Sequence, residues 1–271
     1  MVAITTIFEN INDKNEDADN LKFIQLEQSL PDFIPKCLHN VFGKHIIQRP
    51  PTLGNYKIAG IDHIYIIHWT PLVGRVGVMT ERLSKHLKPG WIEQNYVTFV
   101  SPFDAHNVTD NEINCVAGHN HTLTNGTLSV TTKHHFAYYD ALVNNYSIIL
   151  IVEDDINFVS NFEKGTTNII GDLPLLWSNC MISGGGGSDK IDPPYIYHSP
   201  PEKGSRFAFG YLVSSLGAGQ LLANLPIRAN PDWQMNIAAC ENPNFNSFMS
   251  YYDTIFEVVD QWDGSWEIDK K

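Results

Sequence analysis

The chain has little that would tie it to a membrane, to nucleic acid or to a metal-thiolate fold. No apolar run approaches the ~20 residues that cross a bilayer; the longest strand-like run is Ile148–Val152. The stretch Met1–Ile7 lacks the basic start and long apolar core of a signal peptide, which predicts a soluble, cytoplasmic chain with no membrane span. Positive charge is scarce. A formal charge of −12 argues against non-specific binding to nucleic acid or anionic lipid, since both want basic patches. Cys37, Cys115, Cys180 and Cys240 lie far apart with no CxxC pair, so neither a zinc ribbon nor a disulfide framework is expected, and free thiols in a reducing compartment are. Asn107, Asn120, Asn125 and Asn145 each open an N-x-S/T sequon; without a leader these read as Asn-rich sequence.

Several catalytic signatures are missing too. The run Gly184–Gly187 has neither the order of a P-loop nor that of a dinucleotide fingerprint, and fits a flexible connection or a backbone passing close to a ligand. There is no GxSxG elbow. A haloacid-type phosphatase would want Asp-x-Asp after the first strand, where His68-Trp69 stands.

What is present is an α/β alternation. Residues 1–58 read as an N-terminal extension, with a polar segment at 12–20, a helix over Leu21–Leu30 and proline-punctuated connections. The core unit, 59–271, begins with a strand at Ile61–His68. A helix over Val76–Leu87 follows, with Val76, Met79, Leu83 and Leu87 on one face, stopped by Pro89-Gly90. Asn95–Val100 is a second strand, 104–128 a polar surface loop, and Lys133–Asn144 a helix capped from within Ser129–Thr132. Further strands are expected over Trp177–Ser183, Phe207–Ser214 and Asp253–Val259. A proline-rich loop covers 189–205, a short helix Leu216–Leu225, and a polar tail Asp260–Lys271.

The sharpest feature is Ile148-Ile149-Leu150-Ile151-Val152 leading into Glu153-Asp154-Asp155. Five consecutive apolar residues, mostly β-branched, describe a strand buried on both faces of a parallel or mixed sheet. Ligands of such sheets bind outside the carboxyl ends of the strands. Three adjacent carboxylates there repel one another unless a cation settles among them, and a hard divalent ion with oxygen ligands suits them. A solvated acidic turn is the plainer alternative. Alternation puts Glu153 and Asp155 on one side, as metal ligands, and Asp154 on the other. Arg75, in the loop after the first strand, can reach a phosphate or a base. Lys133 and His134, at a predicted helix N-terminus, can accept an anion. The His119-x-His121 pair, with His135 near, resembles a metal site only weakly, and loop histidines are the plainer reading. Asp232, beside Trp233, is either a helix N-cap or a substrate-facing base.

The order of these motifs resembles glycosyltransferase family 25, which includes lipooligosaccharide and procollagen galactosyltransferases. Ile64–His68 leading to Arg75 is similar to its opening strand and Arg-containing loop. Ser129-Val130-Thr131-Thr132-Lys133-His134 followed by Ile151–Asp155 resembles its Ser/Lys-His helix and acidic motif. Phe209–Ser214 with Gly217 and Ala218 looks like its Gly-Tyr strand and helix, and Asp232-Trp233-Gln234 its late Asp-Trp segment. The likeness runs from about 61 to 235. His68-Trp69-Thr70-Pro71 departs from the family's usual Asn-Leu-Asp run. The resemblance implies a GT-A fold with a mixed central sheet flanked by helices and a Rossmann-like N-terminal half. It further implies a nucleotide-sugar donor, usually UDP-linked, a glycan or glycoprotein hydroxyl acceptor, and a divalent metal, manganese or magnesium. On this reading Glu153 and Asp155 hold the metal. His68, Thr70, Arg75, Lys133, His134 and Asp154 bind the donor, and Asp232 is the catalytic base. Two alternatives stay open: a non-catalytic sugar- or nucleotide-binding relative, and a metal-dependent phosphoester hydrolase.

Overall fold

The structure, a computed structural model, describes residues 34–46, 48–49, 57–183, 194–199, 208–251 and 254–257. The predicted helix at Leu21–Leu30, the polar segment 12–20, the four-glycine run and the tail from Asp260 lie outside the described residues.

In chain order, helix α1 (Lys36–Phe42) precedes strand β1 (His63–Ile67) and helix α2 (Val73–Ser84). Strand β2 (Val97–Val100) leads to helices α3 (Asp110–Ala117) and α4 (Asn125–Val143). Strands β3 (Ile148–Glu153) and β4 (Ile156–Phe158), helix α5 (Phe162–Asp172) and strands β5 (Asn179–Met181) and β6 (Ile196–His198) come next. Strand β7 (Gly210–Ser214), helices α6 (Ser215–Ala223) and α7 (Pro231–Glu241), and strands β8 (Ser247–Ser250) and β9 (Ile255–Glu257) complete it.

Seven strands form one mixed sheet in the order β2-β1-β3-β7-β5-β8-β6, and β4 and β9 pair separately. β1 runs parallel to both β2 and β3, while β7 is antiparallel to β3. The β3 prediction holds: Ile149–Val152 are all buried. Side-chain alternation divides each central strand between two cores. Ile64, Ile66, Leu150 and Val152 pack with Met79 and Leu83 of α2 and Phe162 and Ile169 of α5. Tyr65, Ile67, Ile149 and Ile151 pack on the opposite face with α1, α3, α4, α6 and α7. The result is an α/β fold with a helix-flanked mixed sheet.

The stretch 104–128 is not all loop. Thr109 and Glu112 form a reciprocal capping box that starts α3, and Gly118, at φ 76°, ends it. The helix before β3 begins eight residues earlier than Lys133, because the cap is Thr124, whose hydroxyl accepts from the Thr127 N–H. α4 is buried nearly all round from Leu128 to Ala141, so no one-sided apolar stripe marks its start. α2 ends at Ser84, before the Pro89-Gly90 stop. β6 sits inside the region read as a proline-rich loop, and α5, α7 and β8 carry no prediction. Residues 34–46, assigned to the extension, join the core through Leu38, Val41 and Phe42.

The expectation of four free thiols is overturned. Cys37 at the start of α1 and Cys115 in α3 form a disulfide, and Cys180 and Cys240 remain free. Their separation of 78 residues hid the pairing, which depends on tertiary packing of α1 against α3. Among the described residues no helix is long and apolar enough to cross a membrane.

Candidate active site

From β1 the chain runs out through α2 to β2 on one side, then back through α3 and α4 to β3 on the other. The carboxyl ends of β1 and β3 therefore flank a topological switch point, where open α/β sheets leave a crevice. Ile67 and Glu153 are register partners there, so His68 and Asp154 leave the sheet side by side.

A cleft of 310 Å³ opens at this edge, at the lower end of the range for small-molecule sites. Its floor is Ile67, His68 and Glu153-Asp154-Asp155, with Trp69, Leu72 and Arg75 on one wall. Ala105 and the α4 residues Gly126, Ser129, Val130 and Lys133 line the other.

The acids are differently placed. Asp154 is 6% exposed; it is 2.6 Å from His68 Nδ1 and accepts from Arg75 Nη1 at 2.7 Å. Asp155 stands 3.4 Å from the same guanidinium nitrogen, and its Oδ1 is buried without a hydrogen-bond partner. Burial pushes the Asp155 carboxyl above the usual aspartate value; Arg75 opposes this, and the neighbouring Asp154 adds to it. The expected split of Glu153 and Asp155 from Asp154 does not hold, since all three line the cleft. β3 ends at Glu153 and the next two residues form a turn, so strand alternation stops before Asp154.

Lys133 is 2% exposed and lies in the third turn of α4, not at its N-terminus. The anion-accepting helix end predicted there is thus absent at that residue. Its ammonium instead donates to the His68 carbonyl and to Asp104 Oδ1, and the Thr70 hydroxyl donates to the other Asp104 oxygen. Burial lowers the Lys133 pKa, against the pull of Asp104. This joins the loops after β1 and β2 to the middle of α4. Asp104, which no sequence motif marked, is the buried counter-charge; its position just past the carboxyl end of β2 was the available signal.

Other predicted site residues fall elsewhere. His134 is fully buried, stacked on Tyr211 of β7 and 2.5 Å from its hydroxyl, and is not part of the cleft lining. One step along a helix turns a side chain by about 100°, which sends it to the sheet face. Thr70 supports Asp104 and is also outside the lining. Asp232 is in the first turn of α7, after Asn230 at the N-cap, and its carboxylate accepts from the Trp233 N–H. It is not among the cleft-lining residues. The segment before it is held to α4 by the Thr131 hydroxyl donating to the Ala229 carbonyl. Trp69, Leu72, Ala105, Ser129 and Val130 were missed as lining residues.

The donor set suits a hard cation. Glu153 and Asp155 share the cleft, an Asp155 oxygen is buried and unpartnered, and Arg75 already supplies positive charge between two of the acids. Among the described residues no group of three or more His, Cys, Asp or Glu is gathered to hold a metal. Magnesium-type sites commonly take one or two carboxylates and complete their shell with substrate phosphate and water.

No family model matches the chain, and no curated protein matches it either.

Proposed function

We propose that the chain is a metal-dependent glycosyltransferase of the GT-A type, similar to family 25. It would transfer a sugar from a nucleotide-sugar donor, UDP-linked, to a hydroxyl of a glycan or glycoprotein. The observation that carries this reading is the Glu153-Asp154-Asp155 turn at the β1/β3 switch point, with its buried, unpartnered Asp155 oxygen. A cleft whose acids can seat a divalent cation, and that also offers an aromatic wall, suits a ligand with a diphosphate at one end and a base at the other.

In this reading Glu153 and Asp155 hold manganese or magnesium. When bound, the ion would neutralise charge on the diphosphate leaving group as the glycosidic bond breaks. Asp154 acts on the protein instead. Through His68 and Arg75 it fixes the first-strand loop and the guanidinium that reaches toward phosphate. Lys133 and Asp104 stiffen the same loop from behind. Trp69 and Leu72 offer an apolar face for the base. Asp232 remains the proposed base for the acceptor hydroxyl.

Incubation with UDP-hexoses, manganese and a panel of glycan hydroxyl acceptors tests the proposal. Acceptor-dependent UDP release, lost in Asp155→Asn, is expected. Phosphate release from simple esters instead would assign a hydrolase. One observation favours a second reading, sugar-nucleotide binding without transfer: Asp232 is outside the cleft lining. Binding of UDP and metal with no UDP release for any acceptor would favour it. Full turnover by Asp232→Asn would remove that residue as the base.

A further inference from the structure

We propose that Asn107, Asn120, Asn125 and Asn145 are N-glycosylation sites, and that the chain matures in an oxidising secretory compartment. This goes beyond the transferase reading and does not rest on it. Two independent observations carry it. The first is the Cys37–Cys115 disulfide, which ties α1 to α3 across 78 residues; such bonds form and persist in oxidising compartments and are rare where glutathione keeps thiols reduced. The second is the surface position of the sequons. Asn107-Val108-Thr109, Asn120-His121-Thr122, Asn125-Gly126-Thr127 and Asn145-Tyr146-Ser147 are all described, and each asparagine is exposed. All four fall between β2 and β3, around Cys115. A sequon Asn in a secreted chain belongs on a surface loop or element end, and these occupy two loops, the first residue of α4 and the turn after it.

The modification is a transfer to the side-chain amide. The Asn nitrogen bonds to the anomeric carbon of an oligosaccharide carried on a polyprenyl diphosphate. The carbon–oxygen bond to the diphosphate breaks, polyprenyl diphosphate leaves, and the amide proton passes to a base of the transferring enzyme. In the folded chain the Thr109 hydroxyl is engaged with Glu112 in the α3 capping box, so modification at Asn107 precedes folding of that segment. A glycan on Asn125 would stand beside Gly126 at the rim of the cleft.

The test is unreduced peptide mass mapping of the full chain from its natural source, before and after the amidase that removes N-glycans. That enzyme converts each occupied asparagine to aspartate. Expected are conversion at one or more of the four positions, an accompanying loss of mass, and a linked Cys37–Cys115 peptide. Four unconverted asparagines would overturn the glycosylation sites, and Cys37 and Cys115 recovered as free thiols would overturn the oxidising compartment.

Discussion

On the cleft side of α4, Lys133 keeps an ammonium in a position only 2% exposed because Asp104 and the His68 carbonyl accept its hydrogen bonds. On the sheet side, one residue later, His134 is equally buried but is held neutral. Its pKa is lowered to about 3, chiefly by burial, and its partner is the neutral Tyr211 hydroxyl, itself 2.6 Å from the Tyr138 hydroxyl. His135 follows the same rule, lowered to about 4 by burial, with Nδ1 2.8 Å from the Thr131 carbonyl. Charge is retained in this interior where a counter-charge is at hand, as it is again at the far end of α4, where Arg49 pairs with the buried Asp140 at 2.7 Å; where none is, burial selects the neutral form. The cleft gathers Lys133, Asp104, Arg75, Asp154 and Asp155 around one opening, whereas the sheet side of α4 holds His134 and His135 by neutral hydrogen bonds.

The largest effect expected from breaking this contrast is at Lys133. Lys133→Met strands Asp104 as a buried charge and should cost about 3–5 kcal/mol in denaturant unfolding near neutral pH. Adding Asp104→Asn should return part of the loss; a double variant no better than the single would mean the two residues do not act as a pair. Acid is the complementary probe. His134 and His135 titrate near 6.5 when unfolded and near 3 and 4 when folded. Between those values the unfolded chain binds more protons, so stability is present above about pH 6.5 and falls as the solution is acidified. The denaturation midpoint should drop between about pH 7 and about pH 5; a constant midpoint would mean these rings protonate within the fold.

A smaller loss is expected for Tyr211→Phe, which removes the hydroxyl shared by His134 and Tyr138. Leaving those groups unpaired should cost about 1–3 kcal/mol in the same unfolding measurement, with metal binding unchanged. The smallest effect belongs to Lys44→Ala. Its ammonium pairs with Glu112 at 2.5 Å, but the lysine side chain is half exposed. About 0–1 kcal/mol is expected; a larger loss would show that exposure does not discount this pair.

The legible parts of the molecule were those whose signal is local. β3 and its acids could be read because a five-residue apolar run and three carboxylates are contiguous. β1, β2, β7 and α6 carry the same kind of local pattern. α4 was truncated in the reading because a helix buried on all sides has no polar face to define its register, and Ser129–Thr132 offered false caps inside it. Lys133 lines the cleft, but from the third turn of α4, where it pairs with Asp104, and not from the helix end that the sequence suggested. Asp104 offered only its place just past β2, and the Cys37–Cys115 bond offered nothing local, because each is defined by a partner 29 or 78 residues away. Asp232 was drawn to the site by its carboxylate beside Trp233 and by motif order, and neither signal reports that it lies outside the cleft lining.

The most direct test of the central claim is calorimetric titration of UDP into the chain with and without manganese, repeated on Asp155→Asn. The account predicts binding that requires manganese and disappears in the variant while its unfolding midpoint is preserved. Equal binding with and without the metal, or undiminished manganese-dependent binding by Asp155→Asn, would contradict it.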